Sequence, residues 1–150
     1  MPSSIYQLFA ITAMVCTLSA TGFSAGNNAT EEAAIRKLIA AADSTSTPPP
    51  RMSNAVFWSG AYKKPIIGSE KGESTSNEKR VPGSQKIQTQ PLRIVFADSQ
   101  DLAYEYSKFT LEFAIEAGKH VKFDGGLLRV WQKQNGEWKQ AAAFMRPYAE

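Results

Sequence analysis

Residues 126–146 read GLLRVWQKQNGEWKQAAAFMR, and the pair Asn135-Gly136 near their centre decides the fold. A two-residue β-hairpin loop of type I′ needs φ > 0 at both central positions, which Asn-Gly supplies at the least steric cost. A loop that short also sets the register. Gln134 is expected opposite Glu137, Lys133 opposite Trp138 and Trp131 opposite Gln140, and a regular ladder then puts Arg129 opposite Ala142 and Leu127 opposite Phe144. The other face carries Gln132 with Lys139, Val130 with Ala141, Leu128 with Ala143 and Gly126 with Met145. Both faces therefore hold apolar side chains, whereas an antiparallel sheet with one wet side shows one polar face. This hairpin calls for cover on both sides: a helix on one, and on the other a second surface such as another subunit.

Upstream, LRIVFA (92–97) and LAYEYSKFTLEFAI (102–115) read as two more strands, so the C-terminal part is an antiparallel meander. Residues 85–97 as a whole have strand character, with Pro91 marking a bulge or an edge, since proline cannot donate to a ladder. NAVFWS (54–59) is a short strand, a second is framed by Pro65 and Gly68 at 64–67, and SEKGESTSNEKRVPGS (69–84) is a polar connection. The one clear helix is TEEAAIRKLIAAA (30–42). Thr30 is its expected N-cap, with Glu31 and Glu32 in the first turn; Ile35, Leu38, Ile39 and Ala42 form its apolar stripe, and STSTPPP stops it.

The chain has 150 residues, and residues 5–20, IYQLFAITAMVCTLSA, are apolar and uncharged. That run is short for a bilayer crossing, which takes about 20 residues. Small residues follow it, and the segment reads as a signal peptide over residues 1–25, cleaved between Ala20 and Gly26. The expected mature domain is 26–150, exported to a periplasm or the extracellular space, with no membrane association after cleavage. Cys16, the sole cysteine, falls in the leader, so the domain is expected to lack disulfides, thiol catalysis and zinc–thiolate sites. A net charge of +3 with acids and bases interspersed gives no nucleic-acid footprint.

The order of these segments resembles a known family. The leading EEAAIRKLIAA, the short AVFWSGAY, IIGSE, the strand DLAYEYSKFTL and the closing GLLRVWQKQNGEWKQAAAFMRP resemble the SnoaL-like, ketosteroid-isomerase-related branch of the nuclear transport factor 2-like superfamily, over nearly all of residues 30–146. The resemblance implies an α+β fold: a cone of curved antiparallel sheet wrapped on the N-terminal helix, with a pocket inside and frequent dimerisation through the outer sheet face. It does not imply one activity. Two departures stand out. The second helix common in relatives is replaced by STSTPPPRMS, so it is reduced or missing. The acids of enzymatic relatives are absent: Ala143 stands where many carry an Asp in the closing strand, and Asn54 is the nearest residue to the one at the first strand.

The candidate chemistry is sparse. No metalloprotease, EF-hand, P-loop or dinucleotide motif occurs, and neither a cofactor nor a metal is expected. His120, the only histidine, is expected in a solvated turn. Glu105 and Arg129 both interrupt apolar strands. They would form a surface or interface salt bridge or, if turned inward, a polar anchor in which Glu105 serves as a base. Trp58, Tyr104, Tyr106, Arg129 and Arg146 are the expected ligand-binding set, the aromatics lining an apolar pocket and Arg146 at its mouth. The expected function is binding of a small apolar molecule without strong catalysis. The alternatives are an isomerase or dehydratase using Glu105 with a tyrosine as oxyanion donor, and a homodimeric assembly module with a filled pocket.

Overall fold

The computed structural model describes residues 25–116 and 118–149. The apolar run at 5–20, and with it all of the expected leader except Ala25, lies outside them. The elements are α1 (Ala25–Thr45), β1 (Arg51–Ser59), β2 (Ile66–Ile67), β3 (Lys86–Phe96), β4 (Leu102–Ala114), β5 (His120–Gln134) and β6 (Glu137–Pro147). The strands form one curved, unclosed sheet in the order β2-β1-β6-β5-β4-β3. This is the α+β cone expected from the sequence, with one refinement. The β1–β6 pair is parallel while every other pair is antiparallel, so the sheet is mixed. Among the described residues no second helix follows α1.

The helix is longer than its pattern implied. Among the described residues it runs from Ala25, so Thr30 is interior and does not cap it, and Glu31 and Glu32 fall beyond the first turn. Nothing in Asn27-Asn28-Ala29 breaks a helix as proline would. The chain leaves it at Ser46, which has φ 53°, just ahead of the prolines. The expected stripe is the buried one: Ile35, Ile39 and Ala42 are covered, and Ile35 and Ile39 pack with Ala103, Trp131 and Trp138. Polar ties fix the helix along its length. Lys133 Nζ and Trp138 Nε1 each donate to the Glu31 carboxylate at 2.6 Å. Arg36 donates to the Pro91 carbonyl at 3.3 Å, and Asp43 accepts from Thr89.

The meander follows the sequence reading closely. Asn135 and Gly136 have φ of 54° and 83°, as a type I′ turn requires. Pro91 lies on the edge strand β3, and the register shifts between Pro91 and Arg93. Along β4 exposure alternates, with Ala103, Glu105, Ser107, Phe109, Leu111 and Phe113 buried on the face that carries the helix. His120 opens β5 opposite Ala114 and is exposed; it is a strand residue, not part of the turn.

The hairpin register departs halfway. From the turn to Trp131–Gln140 the pairs are those expected; beyond it a bulge at Ala141 puts Val130 opposite Ala142, Arg129 opposite Ala143, Leu128 opposite Phe144 and Leu127 opposite Met145. A one-residue shift exchanges the faces of everything beyond it. Ala143 is turned inward and Phe144 outward. Trp131, which the regular ladder put on one face with Phe144, is fully buried, so the two lie on opposite faces.

Candidate functional site

A single cross-strand row spans the inner face: Ile94 on β3, Glu105 on β4, Arg129 on β5, Ala143 on β6 and Phe57 on β1. It separates the helix-covered cluster around Trp131 from a second apolar cluster around Phe109, Phe113 and Leu127. Glu105 and Arg129 are therefore an inward pair at the centre of the molecule and not a surface bridge. Glu105 is fully buried and Arg129 is 4 % exposed.

Every donor around Glu105 is aimed at its carboxylate. Arg129 NH1 donates to Oε1 at 3.0 Å and Oε2 at 3.4 Å; Trp131 Nε1 donates to Oε2 at 2.8 Å; Ser107 Oγ donates to Oε1. Alternation explains the set: Ser107 is two residues along on the same face, and Arg129 and Trp131 share the inward face of the neighbouring strand. Such saturation is what a buried charge requires. It also leaves the carboxylate no free approach for a ligand proton. No tyrosine belongs to this set. Tyr104 and Tyr106 flank Glu105 in sequence, so a period of two turns them to the outer face, where both are exposed. The expectation that they line the pocket is corrected on that ground.

The same correction applies to two more residues. Trp58 lies on the outer face, edge-on to Phe144 at 6.5 Å between ring centroids. Arg146 is exposed opposite Gly126 and borders a shallow outer depression with Trp58 and Phe144, not the pocket mouth, because the Ala141 bulge exchanged the faces. Of the expected ligand-binding set only Arg129 reaches the interior space.

That space is a hollow of about 120 Å³ between the C-terminal end of α1, the Thr47-Pro48-Pro49 turn and the inner faces of β1, β5 and β6. Phe57, Leu127 and Met145 give it an apolar side, and Asp43, Arg51, Arg129 and Gln140 a polar one. Arg51 and Gln140 are register partners across the parallel β1–β6 pair, with the Gln140 backbone N–H donating to the Pro50 carbonyl at 2.8 Å. Asp43 accepts from the Thr89 amide at 2.6 Å and the Thr89 hydroxyl at 3.0 Å; Arg129 NH2 donates to the same hydroxyl at 3.4 Å. Burial pushes the Asp43 carboxyl above its ordinary value despite these bonds. Burial, then repulsion from Arg129, lowers Arg51 from the usual arginine value, although much of its side chain is exposed.

Among the described residues one buried side-chain atom is unsatisfied. Gln140 is 2 % exposed, and its Nε2 has no hydrogen-bond partner. Leaving a buried donor unpaired costs about 1–3 kcal/mol. The sequence reading placed Gln140 opposite Trp131 but gave it no role, and it left Arg51 in a loop after the prolines. The available signal was a glutamine facing a buried tryptophan in an otherwise apolar strand.

Similarity to solved structures bears on this architecture. A hexachlorocyclohexane dehydrochlorinase (LinA) type 2 superposes with TM-score 0.60 at 14 % identity, covering 84 % of this chain and 94 % of that one. A nuclear transport factor 2-like protein of unknown function from Prochlorococcus marinus gives TM-score 0.60 at 12 % identity, over 79 % and 94 %. The association domain of CaMKII from C. elegans gives 0.51 at 14 % identity, over 80 % and 95 %. No family model and no curated protein matches the sequence. The chain has the nuclear transport factor 2-like fold. At these identities the likeness establishes the fold and leaves the chemistry to the residues.

Proposed function

We propose that this domain binds a small molecule in the hollow beneath α1 and carries out no proton transfer there. The observation that carries the reading is the contrast between two buried polar groups. Glu105 has every donor it needs and does not line the hollow, whereas Gln140 lines it and has a buried Nε2 that lacks an acceptor. An isomerase-type reading needs a carboxylate that a substrate can reach and a tyrosine beside it, and Tyr104 and Tyr106 face the other way.

Size limits the ligand. Drug-sized molecules occupy pockets of roughly 300–1,000 Å³, while a benzene-sized one fits about 150 Å³. A hollow of about 120 Å³ suits only a few heavy atoms. Export rests on the apolar run at 5–20 and is part of the proposal. The test is ligand-detected NMR with molecules of about six heavy atoms or fewer, on the native protein and on Ala143→Met, which fills the inner wall. Binding to the native protein that disappears in A143M is expected; no binder, or binding indifferent to A143M, refutes the reading.

A second reading, self-association, is favoured by the outer face. Tyr106, Leu128, Phe144 and Trp58 lie in one cross-strand row, all exposed, with Tyr104 on the same face. Contiguous apolar surface of this kind marks interfaces more often than free surface. It is compatible with ligand binding, since the two functions use opposite faces of the sheet.

A further inference from the structure

The polar wall of the hollow includes a residue whose buried donor has no acceptor. Gln140 Nε2 is buried and unpaired, which is rare for a polar atom in a folded protein. Its register neighbour Arg51 makes no ion pair among the described residues and only borders the Phe57 ring, 5.5 Å from its centroid. Arg129 also lines the hollow, but its guanidinium is already engaged by Glu105 and Thr89. One carboxylate lines the hollow with them, Asp43, and it already accepts the Thr89 amide and hydroxyl. With Arg129 held by Glu105, Arg51 is the guanidinium on this wall left without an ion-pair partner among the described residues.

We infer that the hollow is a site for a small monocarboxylate. Its head sits between Gln140 Nε2 and Arg51, and its tail lies against Phe57, Leu127 and Met145. This inference rests on the reading of the hollow as a ligand site and adds the ligand's class. A carboxylate supplies the missing acceptor for the amide and pairs with the guanidinium fork by charge-assisted hydrogen bonds. The one unpaired guanidinium of this wall, Arg51, is matched by a monoanion. A second negative charge would face Asp43, which disfavours sulfate and the phosphate dianion. A space of about 120 Å³ admits about five heavy atoms, on the scale of a benzene-sized molecule in about 150 Å³. Propionate has that size and pairs a carboxylate with a short apolar tail.

Isothermal titration of the purified protein with propionate, with its neutral isostere propionamide and with sulfate tests this. Propionate is expected to bind at least tenfold more tightly than either. Arg51→Gln is expected to weaken propionate at least tenfold with its circular dichroism and melting temperature kept, since Arg51 sits at an exposed position; R51K retains part of the affinity. Gln140→Leu weakens it several-fold. Equal binding of propionamide, or propionate binding untouched by R51Q, overturns the anion assignment while leaving a ligand site in place. Binding of neutral small molecules lost in A143M, with none of propionate, does the same. Failure of every small molecule to bind overturns both readings.

Discussion

Replacing Glu105 by methionine removes the acceptor for three buried donors at once: Arg129 NH1, Trp131 Nε1 and Ser107 Oγ. The loss is worked from its parts. Breaking one side of a buried ion pair costs about 3–5 kcal/mol, because the partner charge stays buried without compensation. An orphaned indole N–H adds about 1–3 kcal/mol. Against a total stability of roughly 5–15 kcal/mol for a domain, E105M should leave the protein near its threshold. The double variant E105M/R129M removes the stranded guanidinium and fills the space with methylenes. Replacing both members of a buried pair is often close to neutral, so the double is expected to be no less stable than E105M alone. Urea denaturation followed by tryptophan fluorescence reads this directly, because Trp131 is the affected donor. A single-variant cost below about 1 kcal/mol, the size found for surface pairs, would refute the account of Glu105 as the saturated centre of the sheet. So would a double variant as costly as both singles added together.

Gly125 faces Phe109 across β4 and β5, and a Cβ there would come within 2.4 Å of the Phe109 ring and of the Arg146 carbonyl oxygen. Gly125→Ala is therefore expected to cost about 1–3 kcal/mol, measured as a lower urea midpoint; an unchanged midpoint would show that the strands yield. Phe144→Glu on the outer face is expected to turn a dimer into a folded monomer by light scattering coupled to size exclusion, and a native protein that is already monomeric at micromolar concentration would remove the self-association reading. Hydrogen bonds from Lys133 and then Trp138 hold the Glu31 carboxyl below its ordinary value of 4.5. Their stabilisation is full above pH 4.5 and is lost as pH falls through the lower folded-state value. The stability gap between the native protein and Glu31→Gln should accordingly be constant near neutrality and close in acid; a gap that widens in acid would reverse the assignment.

Much of the fold was written in short-range pattern. The Ile35-Leu38-Ile39-Ala42 stripe, the Asn135-Gly136 turn and the Pro91 edge each follow from a local rule of period, φ or a missing donor. The bulge was hidden because Ala141-Ala142-Ala143 is equally small on both faces, so alternation carries no signal where the register slips. That slip reversed Phe144 and moved Arg146 away from the hollow. The β1–β6 pairing joins distant segments, and without it Arg51 and Gln140 have no reason to be neighbours. Glu105 against Tyr104 and Tyr106 was a choice of face. Residue preference puts the tyrosines inside and the acid outside; the helix instead covers the face with Ala103, Glu105 and Ser107, and the charge is accommodated by Arg129, Trp131 and Ser107.

The side-chain amide of Gln140 reports on the central claim most directly. Its Nε2 protons form a resolvable pair in a ¹⁵N correlation spectrum, assignable by loss of the pair in Q140L. On titration with propionate the account predicts that this pair moves saturably and that its exchange with water slows, while the Trp131 indole resonance, already bonded to Glu105, stays close to its place. A Gln140 pair that ignores every small ligand, with the Trp131 indole shifting instead, would contradict the assignment of the hollow as the site and of Glu105 as its structural neighbour.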